Sequence, residues 1–164
     1  AYADAYRNAV TEDGNGHEGD IVVGISHFGS IRAGFYAGDI SVLDVGEALP
    51  FANPLKCYRY TGRQLKALLD FGINRCRLGR IQTNRLRVEQ DAKGRIRRIY
   101  ARNNRGEEVP VGDKTRLVLV TDDYITTGGD GYNPAFFPET EVIGVDVPQS
   151  TDAFIQYLQR KKTL

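Results

Sequence analysis

The sequence contains no methionine, only two histidines (His17 and His27) and only two cysteines among its 164 residues. A metal centre built from protein side chains usually takes several His or Cys ligands, so we expect no di-metal centre inside this chain. Its longest strongly apolar runs, such as residues 117–120, are far shorter than the roughly 20 residues of a membrane-spanning helix. With Ala1 first and no methionine anywhere, we expect a processed chain, an isolated domain or a proteolytic fragment.

The composition that remains is that of a globular domain. Hydrophobic residues make up 41% of the chain, which argues against disorder. A chain of this length buries roughly 70% of its unfolded surface, so we expect one domain over residues 1–164. Cys57 and Cys76 are separated by 19 positions without a Cys-x-x-Cys motif. They could pair in an oxidising compartment or remain buried thiols, and the sequence leaves both open.

The net charge is only +1, but the charges are unevenly spread. Residues 1–50 hold eight acids and two basic residues, and residues 106–164 hold ten acids and five basic residues. Residues 75–105 hold eleven Lys and Arg against two acids. This basic segment could attract phosphates or nucleic acid. A solvated hairpin face is the commoner explanation of such a run.

Periodicity and end signals predict an α+β domain with mixed sheets and about four helices. Residues 1–10 form a helix with no preceding cap, which suggests that the chain begins inside its first helix. Capping-box spacings start helices at Ser41 and Thr61, and Ser150 or Thr151 caps a last helix. The predicted strands cover residues 20–26, 55–60 and 115–121, with a hairpin of residues 85–90 and 95–101.

Two loops carry residues suited to an anion and a flat ring. Ser26-His-Phe-Gly-Ser-Ile-Arg32 follows a strand, and its small residues expose backbone N–H groups while Arg32 can bind phosphate oxygens. A structural ion pair is the alternative for Arg32. In Leu49-Pro-Phe-Ala-Asn53, a loop aromatic at Phe51 could stack on a base, and Asn53 could reach the base edge. The alternative for Phe51 is a place in the core.

A third loop, Thr121-Asp-Asp-Tyr-Ile-Thr-Thr-Gly-Gly-Asp-Gly-Tyr132, follows the predicted central strand, where ligands collect. Asp130 lies between glycines and could accept hydrogen bonds from two hydroxyl groups, such as those of a ribose. Tyr124 could present its ring to a ligand. The alternative is a tight turn in which Asp130 bonds to its own backbone.

One further motif resembles a metal-binding motif only in part. Gly14-Asn-Gly-His-Glu18 resembles the Gly-Asn-His-Glu motif of metallophosphoesterases, but it has an extra glycine and the companion motifs are absent. We therefore expect His17 to be an ordinary surface residue and not a metal ligand.

Taken together, the segments resemble the C-terminal domain of the 5'-nucleotidase and UDP-sugar hydrolase family. The motifs Gly-x-Ile-Arg, Leu-Pro-Phe-x-Asn, Thr-Gly-x-x-Leu and Asp-Tyr-x-x-x-Gly-Gly-Asp-Gly-Tyr occur in that order at residues 29–32, 49–53, 61–65 and 123–132. The resemblance covers nearly the whole chain. It implies the fold of that domain and a place beside an N-terminal metallophosphoesterase domain that carries two divalent metals and cleaves the phosphoester.

The resemblance also implies a role for single residues. A base would be sandwiched between Phe51 and Tyr124, and Asp130 would bind the ribose hydroxyls. Arg32 would contact phosphate, and Asn53 and Gly79 would line the base pocket. No residue of this chain would be catalytic or bind metal, so the chain alone would be inactive. The family further implies a periplasmic or extracellular location and a nucleotide or nucleoside as ligand.

The sequence departs from the family at one loop. The family usually has Asn-x-Gly-Gly-Ile-Arg, whereas His27 stands at the Asn position here, and Phe28 adds bulk near the expected ligand. Two alternatives to nucleotide binding follow from the sequence. The altered loop could serve another small phospho- or sulfo-ester, or the basic segment could make the chain a polyanion-binding module.

Overall fold

The computed structural model describes residues 1–11, 21–77, 80–143 and 147–161, with the side chains of 11, 141 and 142 left out. Five α-helices lie within these ranges: α1 (Tyr2–Thr11), α2 (Val42–Ala48), α3 (Gly62–Asp70), α4 (Asp123–Thr126) and α5 (Ser150–Lys161). The strands are β1 (Val22–His27), β2 (Leu55–Thr61), β3 (Ile81–Thr83), β4 (Leu86–Gln90), β5 (Ile96–Arg102), β6 (Glu108–Pro110), β7 (Arg116–Asp122) and β8 (Val142–Ile143). The α+β class and the mixed sheets are as predicted.

The strands form two sheets. The larger has the order β3-β1-β7-β2-β8, with β1 and β7 parallel and the other neighbours antiparallel. The smaller is the antiparallel sheet β4-β5-β6, which contains the predicted hairpin. β3, β6, β8 and the single turn of α4 were not predicted, because each is too short to show a periodic pattern.

Local signals start two of the helices as predicted. The Ser41 and Thr61 side chains each accept a hydrogen bond from the backbone N–H three residues on, and the Asp44 and Gln64 side chains accept from the cap residues in return. α3 then continues as a π-helical turn over Phe71–Arg75. At α5 the prediction is wrong in detail, since Ser150 is the first helical residue and not the cap.

Two hydrophobic cores lie on the two faces of the large sheet. Along β7, Val118 and Val120 pack with α1, α2 and α5, whereas Leu117 and Leu119 pack with α3 and the small sheet. This alternation buries the strand on both sides, as expected of a central strand. No helix in the described ranges has the length and apolar character to cross a bilayer.

The topology brings three loops to one edge of the large sheet. β1 and β7 are parallel, so His27 and Asp122 end both strands at the same edge. β2 runs antiparallel to β7 and begins at Leu55 opposite Asp122, so the loop before it arrives at that edge as well. The segments that follow β1 and β7 and precede β2 therefore meet there.

Both cysteines are buried thiols and not a disulfide, which settles the alternative left open by the sequence. Burial raises the pKa of Cys57 to about 12, so its thiol stays protonated at neutral pH. Cys76 lies close to the sheet edge, where its Sγ donates to the backbone carbonyl of Asp130 at 3.5 Å.

Candidate functional site

The three loops at the sheet edge enclose a cleft of about 410 Å³. Its lining residues are His27, Gly29, Arg32, Phe51, Asn53, Tyr124 and Asp130. Five of the six residues predicted to bind ligand therefore line one cleft, although they come from three distant parts of the chain. The sixth, Gly79, lies outside the described residues, and so does the His17 motif.

The loop of Phe51 and Asn53 is held by the start of α5. The Ser150 backbone N–H donates to the Asn53 carbonyl at 2.9 Å, and the Ser150 hydroxyl donates to the Phe51 carbonyl at 3.0 Å. The Thr151 hydroxyl donates to the Leu49 carbonyl at 3.0 Å. With its backbone fixed, Phe51 leaves 45% of its surface exposed. The alternative that Phe51 belongs to the core is therefore wrong.

Arg32 lies at the mouth of the cleft beside this loop. Its guanidinium carbon is 5.7 Å from the centre of the Phe51 ring, and its Nη1 donates to the Gly29 carbonyl at 3.4 Å. Within the described part of the chain it forms no ion pair with a carboxylate, so the structural ion pair considered for Arg32 is not found. Most of its N–H donors face solvent and can meet an anion.

Asp130 adopts an unusual backbone conformation between its glycines, with φ of 53° in the left-handed region. Asp tolerates this region better than most residues, and such local strain is common at functional sites. Its Oδ2 is 3.0 Å from His27 Nδ1, and its Oδ1 accepts from the Tyr124 hydroxyl at 3.1 Å. The side chain thus bonds to neighbours in the cleft, unlike the tight turn considered as an alternative. A carboxylate has about four lone-pair sites, so about two remain for a ligand.

The Tyr124 ring is 41% exposed and is held from two sides. It stacks on the His27 imidazole with centroids 5.0 Å apart and an interplanar angle of 25°. It also lies so close to Gly129 that a Cβ there would be 2.5 Å from Tyr124 Cε1. Burial and the neighbouring Asp130 carboxylate raise the pKa of Tyr124. The hydroxyl therefore stays protonated at neutral pH and serves as the donor to Asp130.

His27 is the cleft residue to which the sequence assigned no role. Only 3% of its surface is exposed, and its Nε2 lies 3.8 Å from Oδ2 of the fully buried Asp122. The Tyr6 hydroxyl donates to the same Asp122 oxygen at 2.9 Å. Burial raises the pKa of Asp122, while His27 and Tyr6 oppose that rise. The one signal in the sequence is a polar ring at the end of an apolar strand, beside a glycine loop.

The residues around His27 make room for this arrangement. A Cβ at Gly29 would be 3.0 Å from Asp130 Oδ2 and 3.1 Å from His27 Nδ1, so a glycine lets the loop cover that hydrogen bond closely. Phe28 is 60% exposed and is not among the residues that line the cleft. Phe28 is therefore not part of the cleft wall, and its effect on an approaching ligand stays a prediction.

Part of the charge of the basic segment 75–105 is neutralised within the described structure. Asp and Glu side chains pair with four of its eleven basic residues at 2.6–3.0 Å. These pairs are Arg75–Asp70, Arg87–Glu108, Arg95–Asp91 and Arg97–Asp91. These four paired arginines fit the solvated hairpin face, and polyanion binding by the segment stays an alternative.

Comparison with known proteins shows the family to which this fold belongs. Residues 1–137 match the family described as 5'-nucleotidase, C-terminal domain. The chain belongs to this family. Its 5'-nucleotidase C-terminal domain fold aligns with a 5'-nucleotidase precursor from Thermus thermophilus, with a TM-score of 0.81 and 26% identity over 99% of this chain and 32% of that chain.

Two further relatives agree with this assignment. The NAD nucleotidase NadN of Haemophilus influenzae shares the fold, with a TM-score of 0.76 and 23% identity over 99% of this chain and 30% of that chain. The trifunctional nucleotide phosphoesterase protein YfkN of Bacillus subtilis (strain 168) is 25% identical over 118 residues, which are 68% of this chain and 8% of YfkN. This 5'-nucleotidase C-terminal domain thus spans a third or less of these proteins.

The described part of this 5'-nucleotidase C-terminal domain offers no metal site. No group of three or more His, Cys, Asp or Glu side chains in it could hold an ion. The polar groups in the cleft are instead a guanidinium, an amide, a phenol and a carboxylate flanked by an imidazole. Such a set suits an organic ligand with hydroxyl groups and an anionic end.

Proposed function

We propose that this domain holds the nucleoside part of a nucleotide for a 5'-nucleotidase-type phosphoric monoester hydrolase. The observation that carries the proposal is the pair of aromatic rings, Phe51 and Tyr124, each more than two-fifths exposed at one cleft. A carboxylate with free lone pairs and an exposed guanidinium lie at the same cleft. The family match and the Thermus thermophilus relative named as a 5'-nucleotidase precursor support a nucleotide over other esters.

The two rings account for binding of the base. A base inserted between Phe51 and Tyr124 stacks on both, and each contact contributes about 1–3 kcal/mol whichever base is present. The bonds from α5 to the 49–53 backbone hold Phe51 in place before the ligand arrives. Asn53 offers an amide to the base edge, which gives the pocket its polar contact. Affinity therefore comes mainly from stacking, and base selectivity is loose.

The polar groups account for the sugar and the phosphate. The remaining Asp130 lone pairs accept hydrogen bonds from the two ribose hydroxyls. Arg32 contacts a phosphate, where the geometry of the guanidinium favours paired hydrogen bonds. Gly79 stays a prediction for the base pocket. An acid at the ribose and a cation at the phosphate match the charge distribution of a nucleotide.

Cleavage itself needs more than this chain supplies. We place it on an N-terminal metallophosphoesterase domain with two divalent metals, which would activate water against the phosphorus. The chain spans 32% of the Thermus thermophilus relative, which leaves room for such a domain. The domain alone is then expected to bind but not to hydrolyse nucleotides. A periplasmic or extracellular location stays a prediction from the family.

Isothermal titration calorimetry tests the proposal with adenosine, uridine, AMP, glucose 1-phosphate and inorganic phosphate at two salt concentrations. We expect both nucleosides to bind with little salt dependence. Phe51→Ala or Tyr124→Ala should weaken adenosine about 5- to 150-fold, the equivalent of one lost stack. Tyr36→Ala is the matched control, because Tyr36 is 95% exposed and does not line the cleft.

Other outcomes would point elsewhere. Equal affinity for glucose 1-phosphate and AMP, with none for adenosine, would favour a non-nucleotide ester. Binding only of anions, with a steep loss at higher salt, would favour the basic segment. A folded chain that binds none of the five compounds would overturn the proposal.

A further inference from the structure

We infer that His27 is the positioning residue of the nucleoside pocket, fixing the Asp130 carboxylate through Nδ1–H and the Tyr124 ring through stacking. This inference rests on the proposed function, since Asp130 and Tyr124 are the groups proposed to hold the ribose and the base. His27 touches both of them, although only 3% of its own surface is exposed. With so little of its surface exposed at the cleft, it acts mainly through these two neighbours.

The hydrogen bond to Asp130 fixes the tautomer of the imidazole. Asp130 Oδ2 is an acceptor when the carboxylate is ionised, so Nδ1, at 3.0 Å, must carry the hydrogen. The same bond keeps one Asp130 oxygen turned toward β1, and the Tyr124 hydroxyl occupies the other. Both oxygens are thus oriented before a ligand binds, with lone pairs left for hydroxyl donors. Such pre-organisation reduces the ordering cost of binding.

The other ring nitrogen of His27 faces the buried side of the site. His27 Nε2 is buried without a hydrogen-bond partner among the described residues, and Asp122 Oδ2 lies 3.8 Å away. Asp122 is held in turn by the Tyr6 hydroxyl of α1 and by the Ile125 N–H of α4. The titratable groups that face His27 are thus Asp130, Asp122 and Tyr124, with Tyr6 behind Asp122. Tyr6 and Asp122 thus lie on the buried side of the imidazole and limit its position.

Two substitutions of His27 distinguish the role of Nδ1 from that of Nε2. His27→Asn keeps an amide donor near the position of Nδ1, whereas His27→Gln places its amide near the position of Nε2. Both variants lose the stacked imidazole under Tyr124, so they differ chiefly in the hydrogen bond to Asp130. The family pattern, with Asn at this position, makes His27→Asn the conservative variant.

The test measures adenosine affinity of the full chain by calorimetry for the wild type, both His27 variants and Tyr36→Ala. We expect His27→Gln to bind about tenfold or more weaker than His27→Asn, the effect of a lost hydrogen bond to a charged group. Thermal unfolding of each variant shows that it is folded. Equal affinity of the two variants would overturn the assignment.

A second readout does not depend on ligand. The chain has only two histidines, so nitrogen-15 NMR of the imidazoles gives two pairs of signals, one Nδ1 and one Nε2 signal for each ring, and His17→Gln identifies the pair of His17. We expect the Nδ1-protonated form for His27, and a loss of that preference in Asp130→Ala. A neutral His27 protonated at Nε2 and not at Nδ1 in the wild type would refute the positioning role. Absence of nucleoside binding with the expected tautomer would instead refute the proposed function and leave the hydrogen bond intact.

Discussion

Replacing Gly129 by alanine should remove the Tyr124 ring from the pocket without touching any proposed ligand contact directly. The new Cβ would be 2.5–2.6 Å from three carbons of the ring. Carbon atoms in contact lie about 3.5–4.0 Å apart, so the ring must retreat by at least about 1 Å. The φ of Gly129 is not in the left-handed region, so the backbone itself accepts alanine.

The size of the expected destabilisation follows from the interactions that the Tyr124 ring loses. The stack on His27 is worth about 0.5–1.5 kcal/mol, and the hydrogen bond to Asp130 about 0.5–1.5 kcal/mol. We discount both because the ring is partly exposed, and expect Gly129→Ala to lower the free energy of unfolding by about 1–2 kcal/mol. Adenosine affinity should fall further, by up to about 150-fold, if the base stack is lost.

Urea denaturation and calorimetry measure the two effects, and a double-mutant cycle tests their cause. In a Tyr124→Ala background the clash is gone, so Gly129→Ala should cost no more than about 0.5 kcal/mol in stability. Gly34→Ala is the control, because a Cβ at Gly34 meets nothing within 4 Å. A clash with the Tyr124 ring is refuted if Gly129→Ala matches the wild type, or if it lowers the free energy of unfolding as much without the Tyr124 ring as with it.

Other glycine and carboxylate substitutions test the scaffold by urea denaturation. Gly24→Ala would put a Cβ 2.0 Å from the Ala3 carbonyl oxygen of α1, and we expect a loss of about 3 kcal/mol or more. Gly46→Ala, in α2 with nothing within 4 Å, should stabilise by up to about 1 kcal/mol, and a loss there would contradict the helix assignment. Burial raises the pKa of Asp122 in the folded state above the unfolded value of about 4. The protonated side chain therefore contributes its full stabilisation below about pH 4, and this contribution is lost as the pH rises through the folded-state pKa. Asp122→Asn should therefore gain stability relative to the wild type from pH 4 to pH 7, and parallel pH curves for the two would contradict this.

Sequence patterns predicted the elements that form through contacts between residues close together in the chain. The capping boxes at Ser41 and Thr61 need only residues three apart, and the structure contains both. The hairpin of β4 and β5 likewise follows from one turn between two alternating runs. Local loop patterns singled out each of the five described cleft residues, but their grouping into one site came from motif order and resemblance, because no local rule relates Arg32 to Asp130. Their meeting depends on the parallel pairing of β1 with β7.

The roles that were missed from the sequence are those of residues buried against partners distant in the chain. His27 was noted only as a departure from a motif, yet burial between Asp122 and Asp130 makes it the centre of the polar network. Ser150 was interpreted as a helix cap, whereas its hydroxyl donates to the carbonyl of Phe51, on a loop far away in the chain. A polar residue in a sequence does not indicate which distant carbonyl or carboxylate it will meet.

The bonds from Ser150 and Thr151 to the 49–53 loop bear on where this domain can be cut. The family match ends at residue 137, whereas α5 begins at Ser150. A fragment trimmed to the matched region would keep every side chain that lines the cleft. It would lose the start of α5, whose hydrogen bonds fix the Phe51 backbone. Domain boundaries drawn from sequence similarity alone would thus retain the residues of the pocket and discard part of its shape.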